Sequence, residues 1–189
     1  MQQTRRHAAL TSVSVACLVC LGMAGSAFAD DSLNTKLKGY EEVPAVSSTG
    51  TGRFKAKIDK ANGILHYELS FSGLEGEVRQ AHIHFGQRGV NGGITLWLCQ
   101  SATNPSPTPS KTPVCPQAGT VSGDLTAADV ITTNPGAIAQ GIAPGEFAEI
   151  LAAMRAGHAY ANVHTTTRPG GEIRAQINNG DDDEGENDD

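Results

Sequence analysis

Basic charge is in short supply in this sequence: 14 Lys and Arg stand against 20 Asp and Glu in 189 residues, with no basic patch. Nucleic-acid binding needs a basic patch or stripe as its electrostatic footprint, so the composition argues against that class of partner. The local signatures of common catalysis are missing too. There is no nucleophile elbow, no phosphate-cradling glycine loop and no clustered pair of carboxylates, and no internal repeat. The one long apolar run, from Ala8 to about Ala24, is broken by Thr11, Ser12, Ser14 and Gly22, whereas a spanning helix needs about 20 strongly apolar residues. That run follows Arg5 and Arg6 and closes on Ala27-Phe28-Ala29, a small-x-small cleavage signature. Residues 1–29 therefore read as a secretory signal peptide. The mature chain starts at Asp30, is periplasmic or secreted, and keeps no stable membrane anchor.

Cleavage leaves 12 basic residues against 20 acidic ones, a net charge of −8. Seven of those acids sit in residues 181–189, which hold no base. Such a run has nothing to bury and reads as a disordered, solubilising tail. Residues 30–180 are then one nearly neutral domain. Cysteine is scarce in it as well, with only Cys99 and Cys115. An even count in an exported chain reads as a disulfide, here closing an insert, 100–114, rich in Pro, Ser and Thr. Bridging a loop of about 15 residues is worth on the order of 3 kcal/mol in the chain-entropy picture.

What is present is alternation. Phe54, Ala56 and Ile58 alternate with Arg53, Lys55, Lys57 and Asp59; Leu65, Tyr67, Leu69 and Phe71 alternate with His66, Glu68 and Ser70. Both runs have the period of a strand with one face in water, and Asn62-Gly63 between them is a hairpin turn. Further strands are expected over 77–85, 94–99, 121–125, 159–165 and 171–177. The 94–99 segment is apolar almost throughout, which places it centrally or covers it on both faces. Residues 144–157 differ: Phe147, Ile150, Leu151 and Met154 share one helical face, with Pro144 at the start and Gly157 at the end. The pattern is all-β, a β-sandwich or Greek-key barrel with one short helix in a connection.

The chemistry-bearing residues are histidines. Side chains alternate across a strand, so apolar Ala81, Ile83 and Phe85 put Gln80, His82 and His84 together on the other face. Ala161 and Val163 do the same for Tyr160, Asn162 and His164. His66 also lies off the apolar face, and His158 joins His164 if its strand begins early enough. Two imidazoles at i and i+2 lie about 6.5–7 Å apart at the backbone, close enough to share an ion. Neutral imidazole is a common ligand and suits copper and zinc. Glu172 and Arg174, two apart on one face, read as an ion-pair frame, and Trp97 as packing.

Several separated segments resemble one family. Leu37-Lys38-Gly39-Tyr40-Glu41-Glu42-Val43-Pro44 opens the domain; Ala81-His82-Ile83-His84-Phe85-Gly86 precedes Asn91-Gly92-Gly93; Ala159-Tyr160-Ala161-Asn162-Val163-His164-Thr165 precedes Pro169-Gly170-Gly171-Glu172-Ile173-Arg174-Ala175-Gln176. Together, over about 32–178, they resemble the CHRD (chordin-type) domain in its single-domain bacterial form; the 100–114 insert departs from it. The resemblance implies an immunoglobulin-like β fold and settles no activity. Over a shorter stretch, His82-Ile83-His84-Phe85-Gly86 is similar to the copper-ligand strand of copper–zinc superoxide dismutase, with no counterpart of that enzyme's zinc loop. The expectation is a metal-binding module, copper first and zinc as the alternative. A surface cluster of His82, His84 and His164 would bind the metal, with His66 or His158 as a fourth ligand, and uptake would be lost below about pH 6 because a protonated imidazole cannot ligate. The alternatives are a metal-free extracellular interaction or structural domain, in which the polar cluster is a hydrogen-bonded network with His82 and His164 bonded to each other, with an extracellular protein as its possible partner, and, as a minor one, a dismutase-like oxidoreductase. No catalytic residue is assigned.

Overall fold

A computed structural model describes residues 32–130 and 135–178; the segments read as a signal peptide, 1–29, and as an acidic tail, 181–189, fall outside them. Eight strands and two α-helices follow in chain order: β1 (Ser32–Lys38), β2 (Thr51–Asp59), β3 (Ile64–Ser72), β4 (Val78–Phe85), β5 (Gly93–Cys99), β6 (Gly119–Leu125), α1 (Pro135–Ala139), α2 (Phe147–Arg155), β7 (Ala159–Thr165) and β8 (Ile173–Ile177). The strands form one antiparallel sheet in the order β5-β4-β7-β8-β1-β2-β3-β6. The sheet curls until β5 and β6 approach each other. Tyr67 on β3 reaches across and donates its hydroxyl to the Leu98 carbonyl on β5 at 2.6 Å. The architecture is the all-β sandwich or barrel that the alternation predicts, closed at that seam by a side chain instead of a ladder.

The alternating runs behave as expected. Phe54, Ala56 and Ile58 of β2 are buried with Leu65, Tyr67, Leu69 and Phe71 of β3, while Lys55, Lys57, His66 and Glu68 face water. Gly63 turns the hairpin at φ +65°, and the Asp59 carboxylate accepts hydrogen bonds from the Asn62 backbone and side-chain amides at 3.1 and 2.8 Å. Leu33 and Leu37 of β1, Leu96 and Leu98 of β5, Val163 of β7 and Ile173 of β8 complete the interior. Each such side chain removed from water contributes roughly 1.5–3 kcal/mol.

Some elements differ from expectation. β1 precedes the strands read from the sequence, although Leu33 and Leu37 already alternate with polar neighbours. β5 lies at the end of the hydrogen-bonded order and so takes the second of its two expected placements, covered on both faces, with Leu96, Leu98 and Cys99 fully buried. α2 starts at Phe147, after Gly145 (φ +79°) has turned the chain and Glu146 has accepted the Ala143 amide at 2.6 Å. Phe147, Ile150, Leu151 and Met154 all pack inward from it. α1, five residues long, is too short to leave a periodic signal. Cys99 and Cys115 form the disulfide, their Cα atoms 5.0 Å apart. The insert is ordered around Gln100, whose amide donates to the Pro109 and Thr112 carbonyls at 2.8 and 2.7 Å and accepts from Ser106 N at 2.9 Å.

Candidate metal centre

β4 and β7 are neighbours, with His84 opposite Tyr160, His82 opposite Asn162 and Gln80 opposite His164. Partners in an antiparallel register share a face, and a diagonal step along the ladder remains within side-chain reach. His164 therefore meets His82 diagonally. The ring centroids of His82 lie 5.0 Å from His164 and 5.5 Å from His84, and His84 lies 6.1 Å from His164. One nitrogen from each ring falls within 4.8 Å of the other two.

Backbone carbonyls set the tautomers. A carbonyl only accepts, so the nitrogen facing it carries the proton. Nδ1 of His84 donates to Gly92 O at 2.9 Å, and Nδ1 of His164 donates to Pro169 O at 3.0 Å. In both neutral rings Nε2 is then the lone-pair nitrogen. His82 Nδ1 lies 3.2 Å from His164 Nε2, so His82 is the donor of that shared bond. Nε2 of His84 is buried and meets no hydrogen-bond partner, and the same is true of Nε2 of His82. Ligating histidines usually tie their second ring nitrogen to a carbonyl or carboxylate, and His84 and His164 already do so.

The cluster is on the outer face of the sheet, as the alternation implies, but it is not a surface cluster. His82, His84 and His164 are 0%, 7% and 6% exposed. Alternation tells which side of a sheet a residue takes and nothing about what lies over that side. Here Trp97 packs edge-on against His82, centroids 4.2 Å apart, and Tyr160 stacks on His84 at 4.7 Å with planes 5° apart. The loops carrying Gly92 and Pro169 close the rest. Burial holds His84 and His164 down to about 4, and drives His82 well below the usual imidazole range with help from the two neighbouring rings. Neutral lone pairs thus persist to about pH 5, lower than the pH 6 limit expected for an exposed cluster.

The other two candidate histidines are elsewhere. His66 is exposed on β3 and bonds through Nδ1 to Asp124 on β6 at 2.6 Å. His158 is exposed in the turn before β7, which starts one residue too late to carry it onto the His164 face. Neither joins the triad as a fourth ligand.

Glu172 and Arg174 are also not the expected ion-pair frame. Both are fully buried, and each serves a different loop. Glu172 accepts from Ser48 Oγ and Glu75 N at 2.7 Å and from Thr165 Oγ1 at 2.6 Å. Arg174 donates to the 87–91 loop. Sharing a face two residues apart does not make them partners, because the ladder presents each to different neighbours. Tyr160 and Trp97 flank the triad, a role that the strand pattern hinted at only by placing Tyr160 on the His164 face.

Glu42 was not singled out by any pattern. It lines a cleft of about 520 Å³ between residues 42–47 and 167–171, with Asn91 on its border. Burial pushes its carboxyl up to about 7, against the opposing pull of Arg174 and Asn162.

Three neutral imidazoles converging in a dry, aromatic-walled site, with two of their N–H groups anchored on carbonyls, fit a borderline metal such as copper or zinc. The family model of the CHRD domain matches residues 33–177. Among curated proteins and solved structures, none matches the chain.

Proposed function

The chain belongs to the CHRD-domain family, and on that premise we propose that it is an exported metal-binding module whose His82, His84 and His164 hold copper for storage, delivery or redox work. The observation that carries this reading is the convergence of three buried rings, one nitrogen from each within 4.8 Å of the other two, with Nε2 of His84 and Nε2 of His82 both lacking a hydrogen-bond partner. An unsatisfied buried polar atom is costly, and a metal ion would satisfy it. The bound ion would supply an open coordination position and, for copper, a one-electron couple. Copper is favoured over zinc because nitrogen sites bind it more tightly along the divalent series.

Export is supported by the leader-like sequence of residues 1–29, the Cys99–Cys115 disulfide and, among the described residues, the lack of any helix long and apolar enough to cross a membrane. A metal-free interaction domain is the second reading. The direct His82–His164 hydrogen bond favours it, since the network is then partly satisfied without an ion.

The deciding experiment exposes the purified chain to copper or zinc, desalts it thoroughly and measures bound metal. The His82→Ala/His84→Ala double variant, checked for folding by circular dichroism, runs beside it. Near-stoichiometric metal in the parent and little in the variant supports the centre. No metal in the parent overturns it in favour of the interaction domain. Superoxide consumption by the loaded chain decides the dismutase alternative.

A further inference from the structure

Arg174 is a buried cation that the metal centre does not use directly. It lies on β8 opposite Asn162 and is 1% exposed. Its guanidinium donates from Nη1 to Asn91 Oδ1 at 3.2 Å, and from Nη2 to Val90 O at 2.8 Å and Gln87 O at 3.4 Å. All three acceptors are neutral. Buried charges are ordinarily paired with an opposite charge, yet among the described residues no carboxylate forms an ion pair with this one. Glu42 and Glu41 act on it only through space, and Glu41 is itself paired with Arg88. The charge is held by hydrogen bonds and an aromatic face, and it stays whole.

That aromatic face is Tyr160. The guanidinium carbon sits 3.3 Å from its ring centroid, and the tyrosine ring stacks on His84. The Tyr160 hydroxyl accepts from Gly92 N at 3.1 Å, while Gly92 O accepts the hydrogen bond from His84 Nδ1. Guanidinium, phenol and imidazole are thus layered, with the 87–92 loop strapping all three.

We propose that Arg174 sets the oxidation-state preference of the centre, biasing it toward monovalent copper, Cu(I), over Cu(II). The inference rests on the copper reading above. The two ions differ by one electron and so by one unit of charge. The guanidinium is one tyrosine ring removed from His84, and two unit charges roughly 10 Å apart at an effective dielectric near 20 interact strongly enough to shift an affinity by about 10- to 30-fold. Arg174, Tyr160 and His84 are all buried, which limits screening by solvent.

The test measures two affinities of the full chain. Cu(I) affinity comes from competition with a chromophoric Cu(I) chelator under excess ascorbate, and Cu(II) affinity from competition with glycine in air. The readout is the ratio of the Cu(II) to the Cu(I) dissociation constant. Asn91→Asp places a carboxylate where Nη1 already bonds and pairs the charge without removing it; the ratio is expected to fall about tenfold or more. Arg174→Gln should move it the same way, and Arg174→Lys should hold it near the parent value. If Arg174→Gln does not fold, Asn91→Asp decides alone. A ratio unchanged in Asn91→Asp overturns this inference while leaving copper binding intact. A parent that takes up neither ion overturns the copper reading and this inference with it.

Discussion

Lowering the pH of the metal-free chain from 7 to 5 sets its buried groups against each other. His84 and His164 sit at about 4 in the folded chain against an ordinary 6.5. Between those values the unfolded chain takes up protons that the folded chain refuses. Their contribution is therefore complete above pH 6.5 and is lost as the pH falls toward 4. From pH 7 to 5 each costs about 2 kcal/mol, and the pair about 4 kcal/mol; His82 acts in the same direction. Glu42 opposes them, because its carboxyl is raised from 4.5 to about 7. The folded chain keeps that proton while the unfolded chain sheds it, so the contribution is complete below pH 4.5 and is lost as the pH rises through 7. Acidifying from 7 to 5 returns about 2 kcal/mol of it. The parent should lose about 2 kcal/mol net and Glu42→Gln about 4 kcal/mol, in a domain whose whole stability is on the order of 5–15 kcal/mol. Urea unfolding at pH 7, 6 and 5 in the presence of a chelator, followed by far-ultraviolet circular dichroism, measures both slopes. A Glu42→Gln stability that does not fall over this window would refute the picture of dry, neutral imidazoles. Equal slopes in the two chains would refute the part given to Glu42.

Three further outcomes follow from the same contacts. Trp97 is the sole tryptophan and its ring touches His82, so Cu(II) should quench most of its fluorescence in the parent and little in the His82→Ala/His84→Ala variant. Gly92→Ala would drive a Cβ into the Phe85 backbone and displace the carbonyl that fixes the His84 tautomer; copper affinity should fall at least tenfold, with the global fold retained by circular dichroism. Reducing the Cys99–Cys115 bridge should lower stability by about 3 kcal/mol in urea unfolding while leaving metal stoichiometry unchanged, since the triad lies on β4 and β7.

The alternations at 53–59 and 64–71 and the Asn62-Gly63 turn made the hairpin and its buried face legible, because each signal is local and has a period of two. The same period put His82, His84 and His164 on one side of their strands. It could not show that the side was roofed, since Trp97 comes from another strand and the loops carrying Gly92 and Pro169 have no periodicity. The misreading of Glu172 and Arg174 has the same origin: their partners, Ser48, Glu75, Asn91 and Tyr160, are distant in sequence. Glu42 lies in the opening segment that resembles the family, but nothing local sets it apart from its neighbour Glu41. What each face meets is decided by strand order, and that order is not written in any one strand.

The insert leaves β5 at Cys99 and returns at Cys115 with its ends only 5.0 Å apart, near the seam where the sheet stops short of a ladder. A loop with such close ends can change length at small cost in closure entropy. The domain thus has a site where chain can be added or trimmed without retuning the histidines, and a fluorophore or affinity tag grafted there would report on the protein while leaving its metal chemistry alone.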